Sequence, residues 1–154
     1  MPHESIMLWQ ERLLAPHSHH DDSTSQRRLH AIRGAITVRE DDPSRIHGAA
    51  RELVTEMAAL NGISPRDVVS VIFTVTPDLR SVFPATGVRV IPGWSAVPLL
   101  CASEIDVPHA LPRCIRALVH AYAECSRGEI RHAYLGDARV LRPDLGDGDH
   151  PALP

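Results

Sequence analysis

Aromatic side chains are scarce in this chain, 4% of its 154 residues. The core must therefore be built from Val, Ile, Leu and Ala. No apolar run approaches the ~18 residues that a membrane helix requires, so the sequence predicts no membrane partner. A secretory leader is also missing. Glu4 stands where positive charge is expected, and the apolar start at Ile6, Met7, Leu8 and Trp9 breaks at Gln10, Glu11 and Arg12. There is no basic run and the formal net charge is −3, so nothing points to nucleic acid. Cysteine is limited to Cys101, Cys114 and Cys125. An odd number without a Cys-x-x-Cys pair argues for reduced thiols and a cytoplasmic location.

The length suits one domain with a proper core. Residues 1–29 read as an N-terminal extension. Ile6, Trp9, Leu13 and Leu14 mark one face of a short helix, and the stretch 17–28 is polar, aperiodic and predicted flexible. His17, His19, His20 and Asp21 crowd together there, but such dense spacing on a flexible segment is weak ground for a metal site. Residues 30–145 form the expected domain, and 146–154, rich in Gly, Pro and Asp, a mobile tail.

Within the domain, 30–38 reads as a strand in which Gly34 permits close backbone approach. Asp42 and Pro43 make an N-cap and first helical position. Ile46, Ala49, Ala50, Leu53, Met57 and Leu60 then recur at helical spacing, and Asn61 with Gly62 ends the helix. Ser64 to Asp67 reads as a capped turn, and 68–75 as a β-branched central strand. Thr76 and Pro77 predict a second short helix through Val82, interrupted by Phe83 and Pro84 and resumed over 85–91. Residues 114–123 fit a helix and a strand equally well by period. Residues 130–135 and 136–141 read as a last strand and turn. Strands alternating with a few helices give a mixed α/β domain.

The chemistry gathers around 97–106. This stretch begins as an apolar run bounded by Pro98, predicts a buried strand over 97–102, and ends near a thiol and a carboxylate, Cys101 and Glu104. Arg33, Arg116 and Arg142 each sit in otherwise apolar sequence. Arginine is rarely buried unless paired. Several half-buried arginines and one carboxylate predict a pocket for an anion that also offers a donor group.

From residue 30 to about 145 the chain resembles the monofunctional bacterial chorismate mutases of the trimeric, barrel-like class. The resemblance is carried by Ile32-Arg-Gly-Ala-Ile-Thr-Val38, Thr76-Pro-Asp-Leu79, Val82-Phe-Pro-Ala85, Gly93-Trp94, Val97-Pro98, Cys101, Glu104-Ile-Asp-Val107, Cys114-Ile-Arg116, Ile130-Arg-His132, Tyr134-Leu135 and Val140-Leu-Arg-Pro-Asp-Leu145. It implies an α+β fold, a mixed sheet with helices on one side. Three such sheets would pack into a pseudo-α/β barrel with sites at the subunit interfaces. In the family the segment from Cys114 is a strand.

The implied reaction rearranges chorismate to prephenate and needs no cofactor or metal. By resemblance Arg116 is the cation at the breaking ether oxygen, and Arg33 binds a substrate carboxylate. Glu104 accepts from the substrate hydroxyl and orients the arginine, and Cys101 contacts the substrate. Tyr134 is a phenol at a carboxylate, while Leu141 and Arg142 belong to a closing C-terminal segment. Phe83, Ala85 and Arg89 are implied as a wall from the neighbouring subunit, and Leu99 and Leu100 as further contacts. Two positions depart from the pattern: Thr86 replaces a frequent lysine and Leu100 a frequent threonine. Trp94 reads as packing, and His120 and His132 as histidines without a catalytic role. The rival reading is a non-catalytic trimeric module that binds a small anion or regulates a partner.

Overall fold

The computed structural model describes residues 26–145. The short helix expected near Trp9, the histidine group at 17–20 and the tail 146–154 lie outside the described residues.

Five strands form one mixed sheet: β1 (Arg28–Thr37), β2 (Val68–Val75), β3 (Leu99–Ser103), β4 (Cys114–Ala123) and β5 (Ala133–Leu135). Their order is β3-β2-β4-β1-β5. β4 pairs antiparallel with both β1 and β2, while the outer pairs β2/β3 and β1/β5 are parallel. The ambiguous segment 114–123 is thus the central strand. Between two neighbours it alternates strictly: Ile115, Ala117, Val119, Ala121 and Ala123 are buried on one face, and Arg116, Leu118, His120 and Tyr122 take the other.

One helix, α1 (Pro43–Leu60), covers the first face through Ile46, Ala49, Ala50, Leu53, Val54 and Met57. The Asp42 side chain accepts from Arg45 N at 2.9 Å at its start, a cap of about 1 kcal/mol. At its end Asn61 is a clamp. Its Nδ2 donates to Met57 O and Arg131 O, and its Oδ1 accepts from Arg131 N, all at 2.8 Å. The helix therefore lands beside the segment that leads into β5. Gly34 is where α1 presses hardest: a Cβ there would lie 2.5 Å from Met57 Sδ. A shorter helix, α2 (Pro84–Arg89), packs on α1 through Gly87, whose Cβ would stand 2.6 Å from the His47 backbone. Trp94 is 4% exposed and belongs to this core, as expected of a packing residue.

Three expectations need correction. Residues 77–82 are a turn, not a helix. The Thr76 hydroxyl is engaged by Cys114 N at 2.9 Å and by Asp78. The amides of Arg80 and Ser81 donate to Asp41 Oδ1, each at 3.0 Å, instead of to a preceding carbonyl. Helix begins only at Pro84, which opens α2 and interrupts nothing.

The apolar run at 97–102 is not a buried strand. Pro98 cannot donate to a ladder, so β3 starts after it, and as an edge strand it leaves Leu100 61% exposed. Finally, the arginines are not uniformly half-buried. Arg116 and Arg142 are, but Arg33 is exposed, two residues short of Ala35, where the segment with Ala138 covers that face of β1.

Candidate functional site

Among the described residues no α-helix covers the second face of the sheet, and side chains of four strands meet there. Arg116 on β4 is in register with Thr74 on β2 and Ala35 on β1, and Ala35 in turn with Tyr134 on β5. These residues, with Arg33, Ile72, Leu118, Leu141 and Arg142, line a cleft of about 410 Å³. One end of its floor is sealed by a small buried cluster of Ala35, Cys114 and Ala138, against which Tyr134 and Leu141 pack.

Glu104 follows β3 directly and meets the cleft through two of its lining residues, Thr74 and Arg116. Its Oε2 accepts from Arg116 Nη1, and its Oε1 accepts from Thr74 Oγ1 at 2.6 Å. The two side chains of the ion pair are 33% and 15% exposed for Arg116 and Glu104. Burial works against the Arg116 charge. That burial is the largest single effect, but the hydrogen bond donated to Glu104 and the fields of Cys114, Glu104 and Tyr134 together outweigh it, so the guanidinium pKa is raised. The cation is fixed in place and permanently charged.

Arg33 stands at the rim, with no carboxylate partner for its guanidinium among the described residues. Its backbone N–H donates to His132 Nδ1 at 3.0 Å, so His132 extends the short β1/β5 ladder by a side chain. Arg142 is held by a two-point pair with Asp144, Nε to Oδ1 at 2.9 Å and Nη2 to Oδ2 at 2.8 Å. The Asp144 hydrogen bond raises its pKa, and desolvation works against it. The Tyr134 hydroxyl is buried close to Arg142 without a well-formed hydrogen bond.

The cleft thus brings together Arg33, Glu104, Arg116, Tyr134, Leu141 and Arg142 from the expected set. It does not bring in the others. Cys101 is in register with Phe73 and faces the helices. With Phe83, Thr86 and His47 it lines a second cleft of about 400 Å³. Ala85 is buried in α2, Arg89 is exposed at its end, and Leu99 is half-buried on the helix side. Leu100 shares the face of Ile72 but lies at the sheet edge.

Sequence reading missed Thr74. In a run of β-branched residues a threonine signals strand and nothing more; only its register with Arg116 reveals a partner for Glu104.

The family model described as chorismate mutase type I matches residues 29–145. Chorismate mutase AroH of Thermus thermophilus is 51% identical over 118 residues, 76% of this chain and 96% of the relative. Chorismate mutase AroH of Bacillus subtilis is 40% identical over 117 residues, 76% of this chain and 92% of that one. A solved chorismate mutase structure from Clostridium thermocellum superposes with a TM-score of 0.71 at 43% identity, covering 73% of this chain and 99% of its own. Sheet, cleft and sequence lead to one conclusion: the chain belongs to the chorismate mutase type I family, a family of isomerases.

Proposed function

We propose that the Arg116 cleft is where chorismate is rearranged to prephenate, a step toward phenylalanine and tyrosine, and that a neighbouring copy in a homotrimer completes it. One observation carries this reading: a half-buried guanidinium locked by Glu104 on the cleft floor. The substrate is a flexible dianion with a ring hydroxyl. Its ether C–O bond breaks while a C–C bond forms within the same molecule. No nucleophile, metal or organic cofactor takes part.

Negative charge grows on the ether oxygen as the bond breaks. A fixed guanidinium aimed there stabilises the transition state more than the ground state. Glu104 holds that cation and accepts from the ring hydroxyl. Arg33, Arg142 and Tyr134 take the carboxylates, for which a guanidinium fork offers two-point contact. Arg142 exchanges Asp144 for substrate as the C-terminal segment closes. A module that only binds an anion has no use for a cation held on the floor at the ether position, and this favours catalysis.

The second wall comes from the neighbour. Phe83 is 71% exposed and Leu100 61%, and both sit apart from Arg116 within one chain. Packing three uncovered sheet faces together would bury Ile72, Leu100 and Leu118, and by resemblance the helix-side edge with Phe83, Ala85, Arg89, Leu99 and Cys101 supplies the wall that borders the Arg116 cleft of the next copy. Residues 30–145 are the catalytic unit. The free thiols of Cys101, Cys114 and Cys125 support a cytoplasmic enzyme. No helix among the described residues is long and apolar enough to cross a membrane.

Chorismate absorbance followed in the presence of chelator tests the activity, and its loss at the uncatalysed rate refutes the reading. Subunit exchange between Phe83→Asp and Arg116→Ala variants tests the shared site. Each is expected to be inactive alone and to recover activity when mixed; verified mixed trimers without recovery place the whole site on one chain. A chain beginning at Leu29 is expected to keep full turnover, and a large loss gives the extension a part in the site.

A further inference from the structure

We propose that Thr74 is a positioning residue of this reaction: its hydroxyl sets the Glu104 carboxylate, and through it the Arg116 guanidinium, in the geometry that turnover requires. The inference rests on the reading of the Arg116 cleft given above.

Glu104 lies just past the last paired residue of β3, Ser103, whose partner is Val75. One backbone bond, Glu104 N to Val75 O at 2.9 Å, anchors it. Beyond that anchor the side chain has three rotatable bonds. Its two oxygens are divided between two strands: Oε1 accepts from Thr74 and Oε2 from Arg116. Thr74 and Arg116 are register partners, so they stand side by side and the carboxylate bridges them.

An O–H···O⁻ bond of 2.6 Å is of the strong, charge-assisted kind. A β-branched side chain is stiff at χ1, which makes the threonine hydroxyl a fixed post. An arginine and a carboxylate alone can pair in several arrangements, side-on or end-on. The Thr74 bond selects one of them, and a small misplacement of a catalytic group is costly. Without the hydroxyl, a carboxylate only 15% exposed would have to turn toward water or a second guanidinium nitrogen, taking Arg116 with it.

The test compares Thr74→Val, Thr74→Ser, Glu104→Ala and the Thr74→Val/Glu104→Ala double variant. Thr74→Val is expected to lower kcat about tenfold to hundredfold, the scale of one hydrogen bond to a charged group, with KM changed by less than about threefold. Thr74→Ser restores kcat to within about threefold. In the Glu104→Ala background Thr74→Val costs less than about twofold, because no carboxylate is left to position. A crystal structure of Thr74→Val shows the Glu104 carboxylate turned from its place. Full turnover in Thr74→Val, an equal loss in the serine variant, or an undiminished loss without Glu104 overturns the proposal. If the unaltered chain fails to consume chorismate, the reading of the cleft falls instead. The crystal structure then decides alone, and an unmoved Glu104 in Thr74→Val overturns the role of Thr74.

Discussion

The Arg116 cleft and the Phe83 cleft have nearly the same volume, about 410 and 400 Å³, yet their side chains are held differently. In the first, Thr74, Glu104 and Arg116 are tied to one another, and Arg142 is tied to Asp144. In the second, what is tied is backbone: Asp41 pins the amides of Arg80 and Ser81, while the Phe83 ring projects into solvent. Chemistry on a developing charge needs donors fixed before the reaction begins, since reorienting them during it costs energy. A wall that only shapes a cavity needs its chain in place and its side chains complementary to whatever packs on them. On the proposed reading the first cleft is organised for the one task and the second for the other.

Substitutions at Arg116 should separate the two most sharply. Losing one preorganised donor to a developing oxyanion costs ~10²–10³ in turnover, so Arg116→Ala should depress kcat by that factor with a much smaller rise in KM. Arg116→Lys should also be impaired, since a point charge cannot reproduce the guanidinium fork. Arg33→Ala should lose about tenfold to hundredfold, mostly in KM, because the carboxylate it is proposed to bind stays charged throughout the reaction. Steady-state kinetics on the two variants checks the split. If both raise KM alike and spare kcat, Arg116 is an anchor and the first cleft has no electrostatic specialisation. Phe83→Ala comes next, with a loss of roughly tenfold in kcat/KM, the scale of a phenylalanine face removed from water by substrate and neighbour. The far-ultraviolet circular dichroism of the chain should not change, because within one chain the ring is 71% exposed. A loss of helix or strand signal shows that the second cleft is part of the fold.

The second cleft was also the harder of the two to foresee. Sequence patterning placed α1 with both of its ends, because Asp42, Pro43 and the apolar stripe are local signals. It could not place the turn at 77–82, whose helix is unmade by Asp41, some forty residues upstream. Nor could it choose a strand for β4. The alternation of its residues becomes decisive only once strands lie on both sides. The pairing of Glu104 with Arg116 was legible because buried charge is rare and needs a partner; the same argument fails for Arg33, which is exposed. Thr74 was not legible, since its role depends on register across two strands. Cys101 and Glu104 look like neighbours in sequence, but the pleat of the edge strand turns Cys101 toward Phe73 and leaves Glu104 beyond it, free to cross to the other face.

The smallest effect concerns Cys114, at the sealed end of the first cleft. Burial pushes its thiol from the ordinary 9.0 up to about 11; nearby Arg116 pulls it back, and Glu104 and Asp78 push further. At pH 8 about one part in a thousand of it is thiolate, and only the thiolate reacts, so alkylation of the native protein should leave Cys114 unmodified. A stability consequence follows. The neutral thiol is the form the fold prefers, so its contribution is complete below pH 9. It is lost between about 9 and 11 as the unfolded chain ionises first, on the order of 2 kcal/mol in all. The sequence contains no lysine, which leaves cysteine and tyrosine as the side chains that titrate in this window. Urea unfolding between pH 8 and 11 should therefore show a falling stability that flattens in Cys114→Ala. An unchanged slope in that variant would mean that the thiol is reached by water, and that the floor of the Arg116 cleft is as open as the wall around Phe83.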